Sequence, residues 1–103
     1  MNNNRKPRIS LFGPAIRTNL WKSLYDKTVS ENKISLEFVF VGSNKPKFKL
    51  PNNFKFIYSN VKPVQCFQIA LMECSAELVF PIGDDTCFSK NLFDILYKKH
   101  ILN

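Results

Sequence analysis

Glycine is scarce in this 103-residue chain, with only Gly13, Gly42 and Gly83. They form neither a Gly-x-Gly-x-x-Gly nor a Walker pattern, which excludes the common dinucleotide fingerprint and the phosphate-cradling P-loop. Histidine is rarer: His100 stands alone beside Lys98 and Lys99, where a cation suits the end of a helix. No Ser/His/Asp or Cys/His set has geometric support. Cys66, Cys74 and Cys87 are odd in number and lack Cys-x-x-Cys spacing, so they read as reduced packing thiols of a cytoplasmic protein. No apolar run approaches the length of a membrane span, and the opening MNNNRKPRIS has no apolar signal-peptide region.

What is present suffices for one folded domain. Apolar residues make up 45% of the chain and aromatics 14%, ten of them Phe, which argues against disorder. The formal charge of +7 is unevenly spread. Residues 1–62 hold twelve Lys/Arg against three Asp/Glu, and residues 63–103 hold three against five. Such a face can attract nucleic acid, anionic lipid or phosphorylated ligands. Twelve of the fifteen basic residues are Lys and Asn is frequent, the composition that drift toward A/T-rich codons produces. The charge is therefore read as a solvated surface in preference to a nucleic-acid footprint.

The pattern along the chain alternates two periodicities. Residues 1–7 read as a disordered polar tail, and residues 8–103 as the domain. A short strand over Ile9–Phe12 closes on Gly13-Pro14. Leu20, Trp21, Leu24, Tyr25 and Val29 then fall at helical spacing over Arg17–Glu31. A nearly continuous apolar strand, Leu36–Val41, suggests burial on both faces. The link from Gly42 to Asn53 holds Pro46 and Pro51 and fits no helix. A third strand, Phe54–Ser59, leads to a helix opening at Pro63, whose inner face is expected to be Val64, Phe67, Ala70, Leu71 and Cys74. A fourth strand, Leu78–Ile82, precedes a last helix over Lys90–His100 capped by Ser89, with Leu92, Phe93, Leu96 and Tyr97 inward. The strand aromatics Phe38, Phe40, Phe54, Phe56 and Tyr58 read as core. The fold class expected is α/β, a mostly parallel four-stranded sheet flanked by helices.

Open parallel sheets bind ligands at the carboxyl ends of their strands. Those ends are Gly13-Pro14, Gly42-Ser43-Asn44, Ser59-Asn60 and Gly83-Asp84-Asp85. Two adjacent carboxylates repel unless a cation or solvent compensates, and Mg²⁺ or Mn²⁺ beside a phosphate does this with one or two carboxylates. Without a ligand the same residues make good turn chemistry.

Taken together, the segments ISLFGPAIRTNLWKSLYDKT, ISLEFVFVGSN and KPVQCFQIALMECSAELVFPIGDD resemble the N-terminal nucleotide-sugar-binding half of GT-A fold glycosyltransferases of the family 2 type. The resemblance implies a Rossmann-like half-domain that binds a nucleoside diphosphate sugar through a divalent metal, Mn or Mg, for transfer to a glycan, lipid or protein acceptor. Asp85 matches the metal-binding acid of that family's Asp-x-Asp region and Asp84 its middle position, which also suits a sugar or ribose contact. The first acid falls on Gly83. Pro14 and Ala15 match the turn that lies against the base, and Arg17 the polar position after it. Ser43 and Asn44 stand where the family's second-strand acid would fall, while Lys62 and Gln65 match polar residues facing the nucleotide. The acceptor half and catalytic base that such enzymes carry are not in this sequence, which reads as a fragment or as a short domain that has kept nucleotide binding.

A second function class fits the composition: a non-catalytic basic α/β module that binds nucleic acid or another acidic partner. A receiver-like phosphoacceptor does not fit, because neither Gly13-Pro14 nor Ser59-Asn60 supplies the required acids.

Overall fold

Parallel strands with both faces covered need long apolar β-formers, and LEFVFVG meets that demand at the centre of the sheet. The computed structural model describes residues 6–83, 86 and 88–102. Its elements are β1 (Ile9–Pro14), a 3₁₀ turn (Thr18–Leu20), α1 (Trp21–Ser30), β2 (Leu36–Gly42), β3 (Phe54–Tyr58), α2 (Pro63–Met72), β4 (Leu78–Pro81) and α3 (Leu92–Leu102). The four strands form one sheet in the order β3-β2-β1-β4. Every pairing is parallel, with Phe12 opposite both Val39 and Pro81. The α/β class with a parallel four-stranded sheet is thus observed, and the link after β2 contains no helix.

Strand alternation sorts side chains between two cores. Ile9, Leu11, Leu36, Phe38, Phe40 and Phe54 pack with Trp21, Leu24 and Phe93 on the face covered by α1 and α3. Trp21 is fully buried, with ring centroids 5.0 Å from Phe40 and 5.2 Å from Phe54. Each large side chain so buried contributes about 1.5–3 kcal/mol relative to exposure. The opposite face is smaller: Phe12, Val39 and Val41 meet Cys66 and Ala70 of α2.

Several expectations are corrected by this packing. The inner face of α2 is Cys66 and Ala70, flanked by Phe67, Ile69 and Cys74, while Val64 is 73% exposed and Leu71 45%. Apolar residues surround this helix on all sides, so periodicity alone does not orient it. On α1, Thr28 is buried and Val29 points outward, and the segment from Thr18 to Leu20 winds as a 3₁₀ turn before the α-helix begins. Tyr58, at the end of an edge strand, is 59% exposed. The last helix starts at Leu92, and Asn32 does the capping expected of Ser89. Its Oδ1 accepts the backbone N–H groups of Phe93 at 2.9 Å and Asp94 at 3.1 Å. In return the Asp94 carboxylate accepts the N–H groups of Lys33 and Ile34 at 2.8–3.0 Å. Asn91 precedes the helix at φ 64°, a left-handed conformation that Asn tolerates better than most residues.

Candidate functional site

The chain lays down β1, β2 and β3 in one direction and then returns across the sheet to place β4 beside β1. At such a reversal the crossovers leave on opposite faces and open a crevice beyond the carboxyl ends of the two strands. Here that edge is drawn tight by backbone groups. Ile82 N–H donates to the Phe12 carbonyl at 2.8 Å, Ala15 N–H to Val41 at 2.7 Å, and Ser59 N–H to Gly42 at 2.9 Å. Two of the three glycines are required at this edge. A Cβ on Gly13 would overlap the Ile82 carbonyl oxygen, and one on Gly42 would lie 2.5 Å from the Ala15 carbonyl oxygen.

Of the site residues expected from the sequence, Pro14, Ala15, Ser43 and Asn44 come together here. Pro14 and Ala15 are buried, Ser43 and Asn44 are exposed, and Asn44 Nδ2 donates to the Ile16 carbonyl at 2.9 Å. Arg17 is exposed just after the turn, and its carbonyl accepts the Leu20 N–H at 3.0 Å. Lys62 and Gln65 stand apart, at the start of α2 on the other face of the sheet. The Gln65 side-chain oxygen accepts the Lys62 N–H at 3.2 Å, so it caps the helix. Beyond β4, Gly83 N–H donates to Thr86 Oγ1 at 3.0 Å and Thr86 N–H to the Gly83 carbonyl at 3.2 Å. Asp84 and Asp85, the metal-binding pair expected from the sequence, lie outside the described residues, as does Cys87. Lys45 adds a cation at this edge, 5.9 Å from the Tyr58 ring centroid.

A second polar constellation was not anticipated and lies at the opposite, amino-terminal edge. Glu37 is only 5% exposed, yet its carboxylate accepts Ser10 Oγ–H at 2.7 Å, Ser75 N–H at 2.9 Å and Ser75 Oγ–H at 3.0 Å. It also pairs with the Lys55 ammonium at 3.0 Å. Ser10 Oγ in turn accepts the Ala76 N–H at 3.1 Å. Burial pushes the Glu37 carboxyl up, but the bonds from Ser10, Ser75 and Lys55 outweigh it and hold the group below its ordinary value. Beside it, burial drives the Cys74 thiol up to about 11, which leaves it a packing group with no nucleophilic thiolate at neutral pH. The signal available in the sequence was a lone Glu inside a strand read as buried on both faces, since a buried carboxylate must find partners.

No protein-family model matches this chain, and no curated protein matches it. Among the described residues, no helix is long and apolar enough to cross a membrane, and no group of three or more His, Cys, Asp and Glu side chains is arranged to hold a metal ion.

Proposed function

We propose that this chain is the donor-binding domain of a GT-A type glycosyltransferase, holding a nucleoside diphosphate sugar at the carboxyl ends of β1 and β4 for transfer to a glycan, lipid or protein acceptor. One observation carries the reading: the order β3-β2-β1-β4 reverses between β1 and β4, and Gly83-Asp84-Asp85-Thr86 follows β4 within two residues. Gly13 and Gly42, packed against Ile82 and Ala15, bring the turn at Pro14 and Ala15 close to the end of β2. The exposed Ser43 hydroxyl and Asn44 side chain supply polar groups at this edge, and Arg17 and Lys45 lend it a positive field that attracts a diphosphate.

The donor set of Asp84 and Asp85 is two hard carboxylates, which fits Mg²⁺ or Mn²⁺ sharing phosphate oxygens. When bound, such an ion neutralises charge on the departing diphosphate. Thermal denaturation with uridine or guanosine diphosphate, with and without Mn²⁺, tests the proposal. At about ten times Kd a ligand adds about 1.4 kcal/mol of stability, equivalent to a Tm rise of roughly 5–10 °C in a domain of this size. That rise is expected only with metal, and no response to any nucleotide would sink the reading.

A second reading, a basic module for nucleic acid or another acidic partner, draws on the link after β2. There Lys45, Lys47 and Lys49 are exposed while Phe48 and Leu50 pack against the core. Under it, binding to generic DNA or RNA falls steeply with salt and ignores Asp85→Ala.

A further inference from the structure

From Phe38 to Met72 the chain holds five Lys and no Asp or Glu. Two of the five have places in the fold: Lys55 pairs with the Glu37 carboxylate at 3.0 Å, and Lys62 precedes α2. The other three, Lys45, Lys47 and Lys49 of the link between β2 and β3, are exposed. Among the described residues no carboxylate pairs with them. Phe48 and Leu50, which alternate with these cations, pack against the core and so fix the link to the domain. Tyr58 stands at the end of β3, the edge strand that this link leads into. By strand alternation it shares a face with Phe54 and Phe56, the face on which Phe48 and Leu50 also pack. Its ring nevertheless stays open, with the residue 59% exposed, and Lys45 Nζ lies 5.9 Å from the ring centroid.

We infer that this flank binds single-stranded nucleic acid, with a base stacked on Tyr58 and phosphates held by Lys45, Lys47 and Lys49. The basic-module reading, on which this rests, thereby gains one partner and one surface. Cations without neighbouring acids suit any polyanion, and the ring selects among polyanions. A single strand offers base faces to an aromatic side chain, and stacking combined with phosphate contacts is how sequence-tolerant single-strand binders work. In a duplex those faces are covered by the neighbouring base pairs, and an acidic peptide has none. Compositional drift adds Lys throughout a chain, but it does not clear one stretch of acids or lay a ring open beside its lysines.

Fluorescence anisotropy of the full chain with a fluorescein-labelled oligothymidylate of about 12 nucleotides tests the inference. Three phosphate contacts predict a slope of about −2 for log K against log salt, roughly −0.7 for each contact on a single strand. Tyr58→Ala should weaken binding by about tenfold or more, the scale of one lost base stack, with the salt slope unchanged. Tyr58→Trp should retain it. Lys47→Gln and Lys49→Gln should each make the slope shallower by about 0.7. All of these side chains are exposed, so an unchanged Tm separates loss of contact from loss of fold. The same sequence in a duplex, sodium polyphosphate and polyglutamate should all bind more weakly than the single strand, and Tyr58→Ala should not alter their binding. Single-strand binding that ignores Tyr58→Ala, or that duplex or polyphosphate equals, would overturn the inference and leave a module that reads charge alone. Preference for polyglutamate would overturn it by assigning the flank to an acidic protein. No binding to any of these polyanions at low salt would sink the basic-module reading with it.

Discussion

The two edges of the sheet are both polar, but they spend their polarity differently. At the amino-terminal edge, side chains from distant parts of the chain satisfy one another. Glu37 gathers Ser10, Lys55 and Ser75, and Asn32 and Asp94 exchange caps across the molecule. Tyr25 Oη–H bonds Asn53 Oδ1 at 2.7 Å, and His100 Nε2 lies 3.1 Å from Glu77 Oε1. At the carboxyl edge the joins are made by backbone groups and by glycines that let strands touch, while Ser43 and Lys45 face solvent. Saturated polar groups hold a fold together, and groups turned to solvent remain available to a ligand. The division resembles the stability-bearing and function-bearing ends of other parallel α/β folds.

The largest break in this contrast should come from Glu37→Ala. It leaves the buried Ser10 hydroxyl without its acceptor and removes the charged partner of Ser75 and Lys55, and should cost about 3–4 kcal/mol by urea denaturation. Gly13→Ala attacks the other edge by forcing a Cβ into the Ile82 carbonyl. A loss of about 2–3 kcal/mol is expected, together with any nucleotide response. Asn32→Ala uncaps α3 from a distance and should cost about 1–2 kcal/mol while leaving nucleotide binding intact.

The pH dependence of stability sharpens the same contrast. Because the folded-state Glu37 carboxyl titrates below its ordinary value, its contribution is fully present above the unfolded value of about 4.3. It is lost as pH falls through the lower folded value. Glu37→Gln should therefore flatten the acid limb of the stability curve; an unchanged limb would show that other carboxylates carry it. The smallest effect is expected at Trp21, whose indole N–H is buried without an acceptor among the described residues. Trp21→Phe removes that cost of about 1–3 kcal/mol as well as packing, so the net change in Tm should be slight.

Much of the fold was legible because parallel sheets write it locally: continuous apolar strands, punctuation by Gly and Pro, and helical spacing between them. The ends of those strands, and so the carboxyl edge with Pro14, Ala15, Ser43 and Asn44, followed from the same reading. The rest depended on partners far apart in sequence. Nothing near Ser89 or Leu92 says that Asn32 will cap α3, and nothing near Glu37 names Ser75 or Lys55. The orientation of α2 was hidden for a different reason, since a helix apolar on all sides has no polar face to read. The exposure of Tyr58 followed from its strand lying at the sheet edge, which periodicity does not report.

On the proposed function, the carboxyl edge binds a nucleoside diphosphate through Asp85, and Asp85→Ala is expected to spare the fold. Calorimetric titration of uridine and guanosine diphosphate with Mn²⁺ into the unaltered chain and into Asp85→Ala, each with its nucleotide-free Tm, tests it most directly. Metal-dependent binding that Asp85→Ala abolishes while the nucleotide-free Tm stays put is the result expected. Equal binding by both chains, or none by the unaltered one, would contradict it.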